Sequence, residues 1–176
     1  VINKEIQIEI MNGISQYLNF LIDISKKELR AQGHYVTGKT EKSFKADVKY
    51  LGNNEYEGTI SVLSSAIILN YGVLAKNVPY QQGSGKVKSL YIQALLEWAA
   101  NVRPELSDKE RTGFVFAVAR KAKQEGHPTT GSYKFSSNGR RKDWIEFTIK
   151  PNEDKIFRYM NIDKVLSFEI QKSIRA

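Results

Sequence analysis

The first thirty or so residues bear one continuous apolar stripe, and no other feature constrains the fold of this chain as strongly. Ile6, Ile10, Ile14, Tyr17, Leu18, Leu21 and Ile24 recur at three- and four-residue steps, while Lys4, Glu9, Gln16 and Asp23 fall elsewhere. That spacing predicts a long helix with one face committed to a core, because the helical repeat brings those positions into line. Lys26, Lys27 and Arg30 crowd its far end, where cations offset the helix dipole. Gly33 is the expected terminator, since glycine takes the left-handed conformation that closes helices.

The period then changes to two. Phe44, Ala46 and Val48 alternate with Lys45, Asp47 and Lys49, Gly52-Asn53-Asn54 supplies a turn, and Tyr56, Gly58, Ile60 and Val62 resume the alternation. This predicts a β-hairpin. The apolar run Ala66-Ile67-Ile68-Leu69, ending at Asn70-Tyr71-Gly72, is expected to be a third strand. Residues 73–89 are irregular, with Pro79 and the run Gln81-Gln82-Gly83-Ser84-Gly85. Such a long connection is expected to be mobile in a monomer and ordered against a neighbour.

Helical period returns from Leu90 to Ala99 and stops before Pro104. Ser107 and Glu110 form a capping box for a further helix that ends at Gly126, with Pro128 beyond. After a polar stretch, Trp144 to Ile149 alternates like a strand, and Ile162, Val165, Leu166, Ile170 and Ile174 predict a last helix over 159–174. The expected fold is α+β. One antiparallel sheet of about four strands is packed by the long N-terminal helix, two central helices and a C-terminal helix. Residues 1–176 suit a single domain. Trp98 is expected to lie buried between the mid-chain helix and the sheet, with Leu95 and residues of the first helix, and Trp144 to belong to the core.

Composition narrows the function classes. With 41% hydrophobic residues the chain is expected to fold, and no run of 18 apolar residues suggests a membrane span. The opening Val1-Ile2-Asn3-Lys4-Glu5 lacks a signal-peptide layout, and the absence of cysteine excludes disulfides and thiolate metal sites. A soluble protein of a reducing compartment is expected. The net charge of +8, from 27 basic and 19 acidic side chains, raises the prospect of a polyanionic partner. The charge is spread along the chain, however, and Arg140-Arg141-Lys142 is its best cluster.

One catalytic pattern is satisfied to the letter. Gly33-His34-Tyr35-Val36-Thr37-Gly38-Lys39-Thr40 matches G-x-x-x-x-G-K-[ST], the loop that wraps phosphates with backbone N–H groups. That loop needs a buried strand entering and a helix leaving, and here a charged helical turn enters and strand-like residues leave. The match reads as accidental, with Lys39 on a solvated turn. The two histidines, His34 and His127, stand far apart, and the acidic pairs Glu153-Asp154 and Asp108/Glu110 suit turns and helix starts. No catalytic residue, metal or cofactor is implied.

The order of segments resembles the tail-completion and minor tail, or neck, proteins of long-tailed bacteriophages. The residues that carry the likeness are Thr37-Gly38-Lys39-Thr40-Glu41-Lys42-Ser43, with Thr40 where the family prefers Leu or Ile; Ile67-Ile68-Leu69-Asn70-Tyr71-Gly72-Val73; Val78-Pro79-Tyr80; Leu95-Leu96-Glu97-Trp98; and Val118 through Gly126. It spans roughly residues 1–130, and residues 129–158 stand as a family-atypical insertion. The resemblance implies a non-enzymatic virion protein, made in the bacterial host cytoplasm and placed in the neck or tail. It would form a homo-oligomeric ring that joins head connector to tail, contacting other neck and tail proteins and DNA passing through the lumen without sequence specificity, with no membrane. Val78, Pro79, Tyr80, Lys86 and Lys88 are the expected assembly-interface residues. Two rivals are a small basic nucleic-acid-binding protein and a nucleotide hydrolase using Lys39.

Overall fold

A computed structural model of the chain describes residues 4–35, 37–81, 83 and 89–160. These comprise seven α-helices, α1 (Lys4–Ala31), α2 (Lys39–Lys42), α3 (Ser64–Tyr71), α4 (Leu90–Val102), α5 (Asp108–Glu125), α6 (Trp144–Thr148) and α7 (Ile156–Tyr159), and two strands, β1 (Lys45–Gly52) and β2 (Glu55–Ser61). Short 3-10 turns occupy Ala75–Asn77, Thr130–Phe135 and Lys150–Lys155. The class is α+β, as expected. The sheet among the described residues has two antiparallel strands rather than about four. The helix expected over 159–174 lies almost wholly outside the described residues.

Among the described residues two compact units emerge, both discontinuous in sequence: one within residues 4–28, 42–63 and 144–160, the other within 29–41 and 64–143. In the first, the apolar stripe of α1 forms the core as its spacing demands. Ile6, Ile10, Ile14, Tyr17, Leu18 and Leu21 are buried, and Ala46, Val48, Tyr56 and Ile60 of the hairpin pack on them. At Gly58 the helix lies close against the sheet: a Cβ there would stand 2.9 Å from Ile14 Cγ2. The hairpin turns through Asn53 and Asn54, both at positive φ, which asparagine tolerates better than most residues.

Trp144 is a core residue, 2% exposed, with its ring edge-on to Phe44 at 5.8 Å. Its segment is a helix, which corrects the expected strand. Trp144 and Thr148 are both buried, and the Thr148 hydroxyl donates to the Trp144 carbonyl at 2.6 Å. Ile145 and Ile149 stand four apart, a step shared by strand alternation and a helical turn, so six residues could not distinguish the two. Ser25 and Thr148 share a buried hydroxyl hydrogen bond of 3.2 Å, and Tyr17 donates to the carbonyls of Asn152 and Glu153.

The second unit is centred on α4 and α5. Ile92, Ala99, Val115 and Ala119 are buried between them. Ser89 caps α4 by accepting from the Ile92 N–H, and the capping box of Ser107 and Glu110 opens α5 as predicted. Trp98 departs from expectation. It is half-buried, stacks on Phe114 at 5.8 Å, and belongs to the α4–α5 cluster, which contains no sheet residue. The run Ala66–Leu69 lies inside α3 instead of forming a third strand. Ala66 and Asn70, one helical turn apart, are fully buried. A short apolar run has no periodicity of its own to choose between helix and strand.

Candidate functional site

The segment matching the phosphate loop closes α1 instead of cradling an anion. The Gly33 N–H donates to the Arg30 carbonyl at 2.8 Å and the His34 N–H to that of Leu29 at 2.9 Å, with Gly33 at φ 73°. This is the paired hydrogen-bond pattern of a glycine-capped helix end. The loop runs into α2, only four residues long, and then into the hairpin. Lys39 lies exposed on α2, with its ammonium 3.2 Å from the Glu97 carboxylate. Glu41 accepts two hydrogen bonds from the Arg30 guanidinium, at 2.6 and 2.7 Å, and that guanidinium lies over the Tyr35 ring. A recess of about 130 Å³ is lined by Leu29, His34, Tyr35 and residues 37–41. Its cation and its carboxylate already have partners.

Residues from much later in the chain complete the same helix end. Ser136 and Ser137 hydroxyls and the Ser137 N–H donate to the Ala31 carbonyl, and Arg141 donates to that of Gln32 at 2.5 Å. Gln32 in turn donates to the Lys142 carbonyl. The best basic cluster in the sequence is therefore partly structural, and burial lowers the Arg141 pKa. His34 donates from Nε2 to the Arg141 carbonyl at 3.0 Å. Burial, then the neighbouring Arg141 charge, pushes its pKa down to about 4. His127 sits apart, with Nε2 3.0 Å from the Tyr91 hydroxyl, and burial lowers its pKa also.

Of the expected interface residues, Pro79 is exposed, Tyr80 is half-buried against Phe116, and Val78 is 1% exposed. Lys86 and Lys88 lie outside the described residues. The stretch from Val73 is held in several places. Val73 and His127 exchange backbone hydrogen bonds of 2.8 and 2.7 Å. Gly72 permits that approach, since a Cβ there would fall 2.3 Å from the His127 carbonyl oxygen. Lys123 donates to the carbonyls of Lys76 and Val78.

The surface that sequence reasoning missed is on α3. With Ala66 and Asn70 facing inward, and the Asn70 carbonyl accepting from the Asp143 N–H, Ile67, Ile68 and Tyr71 face out, and Leu69 is half-buried. Ile67 is 41% exposed, Ile68 53%, Tyr71 68% and, just beyond, Leu74 64%. Assigned to a strand, these residues would have alternated between core and solvent. On the helix, Ile67, Ile68 and Tyr71 stand three and four positions apart and so share one exposed apolar face. Comparison of the chain with protein-family models, with curated proteins and with solved structures gave no match.

Proposed function

We propose that this chain is a structural assembly protein, forming a ring in the neck or upper tail of a tailed bacteriophage and carrying out no catalysis. The observation that carries the reading is the apolar strip of Ile67, Ile68 and Tyr71, with Leu74 exposed just beyond the helix, because contiguous exposed apolar surface is a mark of interaction sites. It coincides with Ile67 through Val73, one of the segments that resemble tail-completion proteins. Pro79 and Tyr80 lie in the next such segment, as further candidates for contact with a neighbouring neck protein.

The test is light scattering and negative-stain imaging of the full chain and of Ile68→Asp/Tyr71→Asp. The wild type is expected as a closed ring, and the variant as a folded, smaller species that no longer enters particles. A wild type that stays monomeric, or a variant whose rings match the wild type, refutes the reading. A monomer that instead shifts duplex DNA in a salt-sensitive way would favour the nucleic-acid rival.

A further inference from the structure

The hairpin is a sheet of two strands, so each strand has an outer side. Among the described residues, no backbone group of β1 or β2 hydrogen-bonds outside the hairpin's own pairing. At eight and seven residues these are long strands for edges. Proteins that must keep edges apart shorten them, insert proline, bulge them midway or set charged side chains on them, lysine above all; of these devices the hairpin carries the charges. Neither strand contains proline, and the one irregularity lies at the turn, between Tyr50 and Gly52.

The two edges also differ in charge. The solvent face of β1 carries Lys45, Asp47 and Lys49; that of β2 carries Glu55, Glu57, Thr59 and Ser61. Asp47 and Lys49 pair with each other at 3.3 Å, which leaves β1 with one net positive charge against two negative charges on β2. Within the hairpin, Lys49 stands opposite Glu57 and Asp47 opposite Thr59.

We propose that a second copy of this chain binds at this edge, head to tail. The β2 strand of one copy pairs antiparallel with β1 of the next, in the register that the hairpin itself uses. Lys49 of one copy then meets Glu57 of its neighbour, a favourable cross-strand pair. The symmetric alternative of β1 against β1, centred on Asp47, would set Lys45 opposite Lys49 and gain nothing. A head-to-tail contact repeats until it closes, which is how cyclic rings form. This inference rests on the ring reading and identifies one of the contacts that builds it.

The test exploits the absence of cysteine from the chain. Asp47→Cys and Thr59→Cys are made as separate full-length proteins, checked for folding by circular dichroism, and oxidised mildly alone and mixed. Facing antiparallel residues lie within disulfide range. A covalent dimer is expected from the mixture and from neither variant alone. A dimer from Asp47→Cys alone would overturn the inference in favour of symmetric pairing. Failure of the mixture to cross-link, with the wild type multimeric, would overturn the edge assignment and leave the ring standing; a monomeric wild type would overturn both. A second pair does not depend on thiol geometry. Lys45→Glu/Lys49→Glu and Glu55→Lys/Glu57→Lys should each lose the multimer, and an equimolar mixture should regain it, because alternating copies restore the opposite charges across the contact between neighbours, while the like-charged 49/57 pair inside each hairpin is the same alone and mixed. Multimers that persist in both variants alone would overturn the inference.

Discussion

Trp144 and Trp98 offer a direct measure of where the stability of each unit resides. A tryptophan side chain buries about 150–250 Å², which at about 25 cal/mol per Å² corresponds to about 4–6 kcal/mol. That is an upper figure, because the unfolded chain already hides part of the ring. Large-to-small core replacements give about 3–5 kcal/mol for aromatic residues. Trp144, at 2% exposure and edge-on to Phe44, should therefore lose about 4 kcal/mol on replacement by alanine. Trp98 is half-buried and keeps one principal aromatic partner, Phe114, so Trp98→Ala should cost about 2 kcal/mol. With a urea slope of about 2 kcal/mol per molar, the midpoints fall by about 2 M and about 1 M. Urea titrations followed by far-ultraviolet circular dichroism read both. Equal shifts, or a larger loss at Trp98, would refute the assignment of Trp144 to the deeper core.

Gly33→Ala should destabilise by at least about 1–2 kcal/mol, the cost of a left-handed residue that carries a side chain, because its Cβ would also fall 2.3 Å from the Phe135 carbonyl oxygen; an unchanged thermal midpoint would contradict the helix-end role. Lys39→Ala should change stability by less than about 0.5 kcal/mol, since the ion pair with Glu97 is exposed, and wild-type binding of ATP–Mg²⁺ that vanished in this variant would contradict the structural reading of the loop. His34 has a folded pKa of about 4 against 6.5 in the open chain. The unfolded state binds more protons between those values, so this contribution is fully present above pH 6.5 and declines as pH falls towards 4. Urea midpoints measured from pH 7 to 5 should fall less steeply in His34→Gln than in the wild type, and parallel slopes would refute the assignment.

The elements legible in the sequence are those whose pattern outlasts a single repeat. The α1 stripe covers many turns, the hairpin alternates on both sides of a turn rich in asparagine, and α5 is bracketed by Ser107 and Gly126. The misread segments are short. Ala66–Leu69 and Trp144–Ile149 hold too few residues to separate the two periods, and burial of Asn70 and Thr148 shows polar side chains on the inner face, where a count of apolar residues would not place them. The strip on α3 was hidden by the same error, since its outward residues became visible only once Ala66 and Asn70 faced inward. The two-unit organisation had no signature at all. Boundaries near residues 28, 41, 63 and 143 fall within or beside regular elements, so no linker composition marks them.

The completion of the α1 end by residues 136–142 has a consequence during biosynthesis. The Ala31 and Gln32 carbonyls wait for donors more than a hundred positions downstream, and Phe44 waits equally long for Trp144. Bacterial and other ribosomes add about 5–20 residues per second, so those partners emerge roughly 5–20 s after the groups they satisfy. Throughout that interval the apolar stripe of α1 and the open hairpin are already outside the ribosome while neither unit has its full core. Copies on one polysome would hold these sticky segments close together, and a holdase that covers α1 until the chain reaches about residue 160 would raise the yield of separate, assembly-competent subunits.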